Sequence, residues 1–341
     1  MAQIAFTIGL TRSEKKQEER RSVFDVLKLP DSGASPRGST FYKSMLDCPR
    51  EHGLMYQIGL SPKQKAEALT VGWLFHHGLE LYYKHIFDFQ KEYRKGYQYN
   101  SPGYLKENDY FWAAEPDAAI VAWNAILPIS EEPGYADTWK TVSHLLDRYF
   151  DRYMKTDRWH IVAIEETLEF WGAHLGLFDY TTRLDLLIHD MKDDRLWNVE
   201  HKSAKMITAE LIDYYDLDLQ IVGQVWTLQK TVDLTKYPRY GGTRVNIVTK
   251  HKETQFVRHD VLPSPMHVES FERVMLDQVK LRPIYQKMGW PKSLGHCSGY
   301  ARGYSKCQFY ELCREHPLET VNSLATWDSA PGGFEFKKAG A

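Results

Sequence analysis

The stretch that decides the fold is residues 181–202, "TTRLDLLIHDMKDDRLWNVEHK". Two apolar runs rich in β-branched and aromatic residues flank a turn-forming "HDMKDD", which predicts two antiparallel strands joined as a hairpin. On a strand, residues two apart share a face, so Glu200 and Lys202 project together while Val199 and His201 project the other way. Asp185 stands among Leu184, Leu186 and Leu187, and a charged residue in such a run needs a partner. The hairpin places Asp185 and Glu200 on neighbouring strands. Two carboxylates that close favour a hard divalent cation between them, Mg²⁺ or Mn²⁺, and a nearby lysine could hold or activate an attacking water. Taken alone, a Glu-x-Lys triplet reads as a solvated strand face, and only the other residues that fall into line change that.

Outward from this hairpin, "WHIVAIEETLEFW" (159–171) predicts a strand before it, consecutive and antiparallel with the other two. "TRVNIVTKH" and "TQFVRHDV" predict a further hairpin, and "DLQIVGQVWTLQKTV" a helix between. Upstream, apolar spacing predicts helices from near Ser39, from about Pro62 to His85 and over 137–155, with His76 and Glu80 on one face. "SFERVMLDQVKLRPIYQKMG" predicts a helix leading into a cysteine-rich end. Residues 90–135, rich in Tyr, Pro and Gly, read as an insertion. Its "YRKGYQYNSPGY" interleaves cations and rings in a way that suits single-stranded nucleic acid. The "KYPRYGGTRVNIVTKHK" stretch is basic in the same way. Residues 1–38 read as loosely structured, 39–315 as one domain and 316–341 as a tail.

Composition narrows the classes. Hydrophobic residues make up 43% and charged residues 26% of the 341, ordinary for a soluble globular chain. With a net charge of −2, any nucleic-acid contact must be a local patch. No apolar run reaches the roughly 18 residues of a membrane span, and "MAQIAFTIGLTRSEKK" lacks the basic start of a signal peptide, so a cytoplasmic protein is expected. No Gly-x4-Gly-Lys-Ser/Thr loop is present, which argues against an ATPase motor. In a reducing compartment the four cysteines, Cys48, Cys297, Cys307 and Cys313, point to metal rather than disulfides.

Asp185 followed by Glu200-His201-Lys202 resembles the core motif of the PD-(D/E)XK nucleases. "VGWLFHHGLELYY" is similar to the upstream motif of the RecB-like branch, here Gly72, His76, Leu79 and Glu80. "DLQIVGQVW" lies where that branch has a Gln-x-x-x-Tyr helix. Gln220 matches, while Gln224 stands in the Tyr position; Thr182 likewise replaces a Gly before "RLD". One branch, including CRISPR-associated and phage RecB-like exonucleases, holds a [4Fe–4S] cluster on one N-terminal and three C-terminal cysteines. Cys48 and the Cys307-x5-Cys313 pair follow this pattern, and Cys297 departs from it, with nine residues between it and Cys307 instead of two.

The resemblance implies an α/β fold with a mixed central sheet flanked by helices, an N-terminal helical region and a C-terminal cysteine-rich segment. It implies a Mg²⁺- or Mn²⁺-dependent deoxyribonuclease. His76, Asp185, Glu200 and the His201 backbone carbonyl would be metal ligands, Lys202 catalytic and Gln220 a positioning residue. The four cysteines would hold the cluster, which clips the chain ends together, with zinc as an alternative occupant. DNA ends would be the substrate, and recombination, helicase or CRISPR adaptation proteins the partners. A non-catalytic DNA-binding or assembly protein that keeps the fold is the rival reading, and a zinc-stabilised interaction module a third.

Overall fold

The computed structural model describes residues 27, 37–62, 67–93, 114–236, 239–250, 253–297, 306–316, 321–324, 326 and 329–336. The "YRKGYQYNSPGY" stretch lies almost wholly outside them. Helix α1 (Ser39–Asp47) leads to α2 (Pro49–His52), strand β1 (Leu60–Pro62) and the long α3 (Glu67–Tyr93). Helices α4 (Glu115–Ile126) and α5 (Ala136–Tyr153) precede β2 (Trp159–Trp171), β3 (Asp179–Asp190) and β4 (Arg195–Ala204). Then come α6 (Ala209–Asp216), α7 (Leu219–Thr231), β5 (Tyr240–Thr249), β6 (Phe256–Val261) and α8 (Pro265–Lys287). The chain ends with α9 (Leu294–Cys297), α10 (Tyr310–Glu315), α11 (Val321–Leu324) and β7 (Phe334–Phe336), the last pairing with β1. The region read from composition as an insertion contains α4, whose "AAIVAWNAI" supplies Ala118, Ala122 and Ile126 to the core.

The sheet order is β2-β3-β4-β5-β6. Three of its pairings are antiparallel, and β4–β5 is parallel because α6 and α7 carry the chain back across the sheet. The α/β fold with a mixed sheet between helices is thus the one the sequence implied. On one face α3 and α5 pack Leu74, Phe75, Leu79 and Leu146 against Leu186, Ile188, Trp197 and Val199. On the other, α7 packs Ile221 with Val245 and Ile247, and Leu228 with Leu184, Leu187 and Leu196. A third cluster joins α1, α7, α8 and the C-terminal segment around Trp226, Trp290 and Phe309.

Strict alternation slips once in β3. Leu184 belongs to the α7 face and Leu186 to the α3 face, so side-chain alternation slips at Asp185 although the pairing with β2 stays in register there, Leu184 opposite Glu166 and Leu186 opposite Ile164. Its neighbour on β2, Glu165, adopts φ of 48°. The β3–β4 ladder ends at Leu186 and Val199, one step before Asp185 and Glu200. The two carboxylates therefore leave their strands where the sheet opens.

Candidate active site

Four elements converge at this opening. The Asp185 Oδ2 atom accepts the His201 backbone N–H at 2.8 Å and lies 3.3 Å from Nδ1 of His76, which α3 delivers from one face. Glu200 is buried, with 1% of its surface exposed. Its Oε1 atom accepts from the Lys202 ammonium and from Gln220 Nε2 at 2.8 Å, and its Oε2 atom accepts from Gln224 Nε2 at 2.6 Å. Gln220 Oε1 in turn accepts from Lys202 at 2.9 Å. Asp218 fixes the register of α7 by capping it, taking the N–H groups of Gln220 and Ile221 at 2.9 and 3.3 Å. His76 keeps 28% of its side chain exposed and Lys202 25%, so solvent reaches the site from their side.

Burial and the neighbouring charges set the protonation states. Burial works against ionisation of Asp185, but His76, by charge and hydrogen bond, then His201 and Lys202, hold its carboxyl well below the usual range. Burial and the Asp185 charge raise Glu200, against the pull of Lys202 and Gln224. Burial would lower Lys202, yet Glu200 and Asp185 hold it above the ordinary lysine value, so it is a firm cation. His76 is raised, Asp185 outweighing burial. Burial depresses His201 to about 3, leaving its ring neutral. That ring stacks on Tyr83 and takes a contact from Asn246 at 3.1 Å; Asn246 also donates to the Tyr149 hydroxyl at 2.8 Å.

The structure thus brings together His76, Asp185, Glu200, Lys202 and Gln220. His77 turns away, stacked on Trp73 and 3.2 Å from Glu80. Two residues of the site were not foreseen. Gln224, a mismatch to the family pattern, is a direct donor to Glu200. Glu165 lies close enough to Asp185 to feel its charge. Burial, then Asp185, pushes Glu165 up to about 8, opposed by Arg183 at 2.8 Å. Only a charge inside the strand run "VAIEETL" marked it in the sequence.

Cys48, between α1 and α2, lies near Cys297 and Cys313 of the C-terminal segment. Burial, then the Cys48 and Cys313 thiols, raise Cys297, which also shares a hydrogen bond with Cys48. Cys48 Sγ accepts the Ser293 N–H at 3.4 Å. Cys307 is buried with Glu51 and His296, their ligand atoms within 4.8 Å of one another, and His296 Nε2 is 2.8 Å from Glu51 Oε2. Glu51 and His296 also escaped the sequence reading, although each stands close to a cysteine, Cys48 and Cys297.

The donor sets suit the groups the resemblance implied. Two carboxylates and an imidazole are the ligand types of a hard divalent cation, and cysteines from both ends of the fold are the ligand type of a thiolate-held cluster.

The family model of the PD-(D/E)XK nuclease superfamily matches residues 40–314. The chain belongs to that superfamily. Among solved structures it is similar to a "Putative exonuclease" from Eubacterium rectale, at 10% identity and TM-score 0.43, covering 85% of this chain and 92% of that one. It is also similar to SSO0001, at 11% identity and TM-score 0.27, covering 59% and 84%. No curated protein matches the chain. Membership of the superfamily supports a nuclease, a hydrolase acting on nucleic acid. Among the described residues no helix is long and apolar enough to cross a membrane.

Proposed function

We propose that this protein is a Mg²⁺- or Mn²⁺-dependent DNA nuclease that works from DNA ends as an exonuclease, in recombination, repair or CRISPR adaptation. The observation that carries the reading is the opening of the β3–β4 ladder one step before Asp185 and Glu200, with Lys202 and Gln220 on the same acid. His76, Asp185, Glu200 and the His201 carbonyl would hold the cation. Bound there, it would supply charge stabilisation to the phosphate oxygens and lower the cost of ionising water. Lys202, held cationic, orients the attacking water and faces the charge that grows on phosphate; it does not act as the base. Gln220 positions Lys202 against Glu200. His201 contributes its backbone N–H to fix Asp185, while its neutral ring packs the wall of the site.

Cys48, Cys297, Cys307 and Cys313 would hold a [4Fe–4S] cluster that ties α2 to the C-terminal segment, closing a long loop. The Glu51–His296–Cys307 group favours a second occupant, zinc, whose ligand types are these three. Iron with acid-labile sulfide in anaerobically purified protein supports the cluster; stoichiometric zinc without iron supports the second reading.

The test of the nuclease is degradation of end-labelled linear DNA with Mg²⁺ or Mn²⁺, beside chelator and the Asp185→Ala and Lys202→Ala variants. Cation-dependent loss of label that both variants abolish is expected. Folded, metal-supplied protein that leaves DNA intact would overturn the reading in favour of a binding protein.

A further inference from the structure

Beside the site an aromatic ring stands half in solvent. Tyr214 on α6 is 46% exposed, although its neighbour Tyr215 is buried. Its orientation is fixed at the hydroxyl: the oxygen accepts from the Lys43 ammonium at 2.5 Å, and Asp218 engages the same hydroxyl. The Lys43 nitrogen is 5.2 Å from the ring centroid but only 2.5 Å from the oxygen. The ammonium therefore stands off the hydroxyl end and leaves the ring face uncovered by it. Asp218 is also the cap of α7, whose second residue, Gln220, touches both Glu200 and Lys202. Tyr214 and Tyr215 both feel the Lys202 charge. An oriented aromatic face with a cation at its rim, one helix cap away from the active-site lysine, is the combination that holds single-stranded nucleic acid: stacking for a base, charge for the phosphate.

We propose that Tyr214 is a stacking platform for an unpaired base next to the scissile phosphate, with Lys43 contacting the backbone, so that the site takes single-stranded ends. This deepens the nuclease reading and rests on it for the word scissile. In a duplex the internal base faces are covered by their neighbours and only the outer face of each terminal pair is open, so a blunt duplex offers the platform far fewer faces than a single strand does.

The test reads binding apart from cleavage. A fluorescein-labelled oligothymidylate and a blunt duplex of equal length are titrated by anisotropy in chelator, with wild type, Tyr214→Ala, Tyr214→Phe and Tyr214→Trp. Tyr214→Ala is expected to weaken single-strand binding about tenfold and duplex binding by less than about twofold. Tyr214→Trp, which keeps a larger face, restores single-strand affinity. Tyr214→Phe, with the ring kept and its anchor lost, falls between. In Mn²⁺, Tyr214→Ala raises KM for the oligonucleotide about tenfold with kcat within about twofold. Unchanged single-strand binding in Tyr214→Ala, an equal loss on both ligands, or no rescue by Trp would overturn the platform. Wild type that binds but cleaves neither ligand with any divalent cation would overturn the nuclease reading alone; the binding ratios still decide the platform.

Discussion

Gln224 is where the sequence departs from its family and where the structure gives the departure a role, so Gln224→Leu is the most informative single change. The side chain is fully buried. Its Nε2 donates to Glu200 at 2.6 Å, and its Oε1 accepts from Asn198 Nδ2 at 2.8 Å. Leucine has nearly the same volume, so no sizeable cavity complicates the result. Asn198 keeps a second acceptor, Thr243 Oγ1, at 3.1 Å. The principal loss is one hydrogen bond to a buried carboxylate, which contributes about 1.5–3 kcal/mol. The unfolding free energy at pH 8, followed by urea denaturation, is therefore expected to fall by about 2–3 kcal/mol. Because burial and Asp185 raise the Glu200 carboxyl, the penalty shrinks as pH falls and that group takes up its proton. Gln224→Glu brings a second carboxylate to the same place and is expected to cost more than the leucine variant. A loss below about 1 kcal/mol for Gln224→Leu, or Gln224→Glu as stable as wild type, would refute the claim that this amide holds Glu200.

Three other outcomes follow from the same geometry. Burial pushes Glu115 up to about 7 from 4.5, against its hydrogen bond from the Lys155 N–H. Between those values the unfolded chain is ionised and the folded one is not, so this group's share of stability, up to about 3 kcal/mol, is present at low pH and lost as pH rises towards 7. Glu115→Gln should flatten that loss in Tm measured from pH 5 to pH 8. Arg258 pairs both oxygens of Asp157 at 2.6 and 2.7 Å and lies over Tyr153 at 3.6 Å. Arg258→Met, which takes both of these hydrogen bonds from the half-buried Asp157 carboxylate, should cost about 2–3 kcal/mol in chemical denaturation, and a cost near zero would show the pair to be dispensable. Gly223 has no room for a Cβ, which would stand 2.3 Å from the Tyr180 hydroxyl and 3.1 Å from Phe271. Gly223→Ala should cost about 1–3 kcal/mol and, by shifting α7 and both its glutamines, reduce cleavage more than stability.

Local periodicity made much of this legible. Alternation placed Glu200 with Lys202 and His201 on the opposite face, and helical spacing set His76 on α3, because those signals depend only on neighbours in the chain. Other features depend on contacts distant in sequence. Glu165 meets Asp185 across the β2–β3 pairing, which no single strand reveals. The α4 helix is hidden in the sequence because its twelve residues follow directly on a Tyr-, Pro- and Gly-rich stretch that dominates the local composition. Gln224 looked like a mismatch because the pattern was read as residue names, whereas the structural requirement is a hydrogen-bond donor to Glu200, which an amide meets.

That donor arrangement bears on how the site would work. Both oxygens of Glu200 are engaged, one by Lys202 and Gln220, the other by Gln224, while Asp185 is engaged by His76 and the His201 N–H. The carboxylate charges are thus balanced from within by Lys202 and His76, which lets two acids stay buried side by side. Asp185 and Glu200 would hold a cation, whose charge would supply that balance, and the exchange would leave the Lys202 ammonium available to the phosphate. Gln220, bonded to both partners of the Lys202–Glu200 pair, would keep the lysine within reach during that exchange. On this account Gln220→Ala impairs the lysine more than the cation: kcat should fall while the Mn²⁺ concentration giving half-maximal cleavage stays within about twofold, whereas Gln224→Leu, acting on the carboxylate itself, should raise that concentration. The opposite assignment in a Mn²⁺ titration of the two variants would mean that Gln220, not Gln224, sets the cation's ligand.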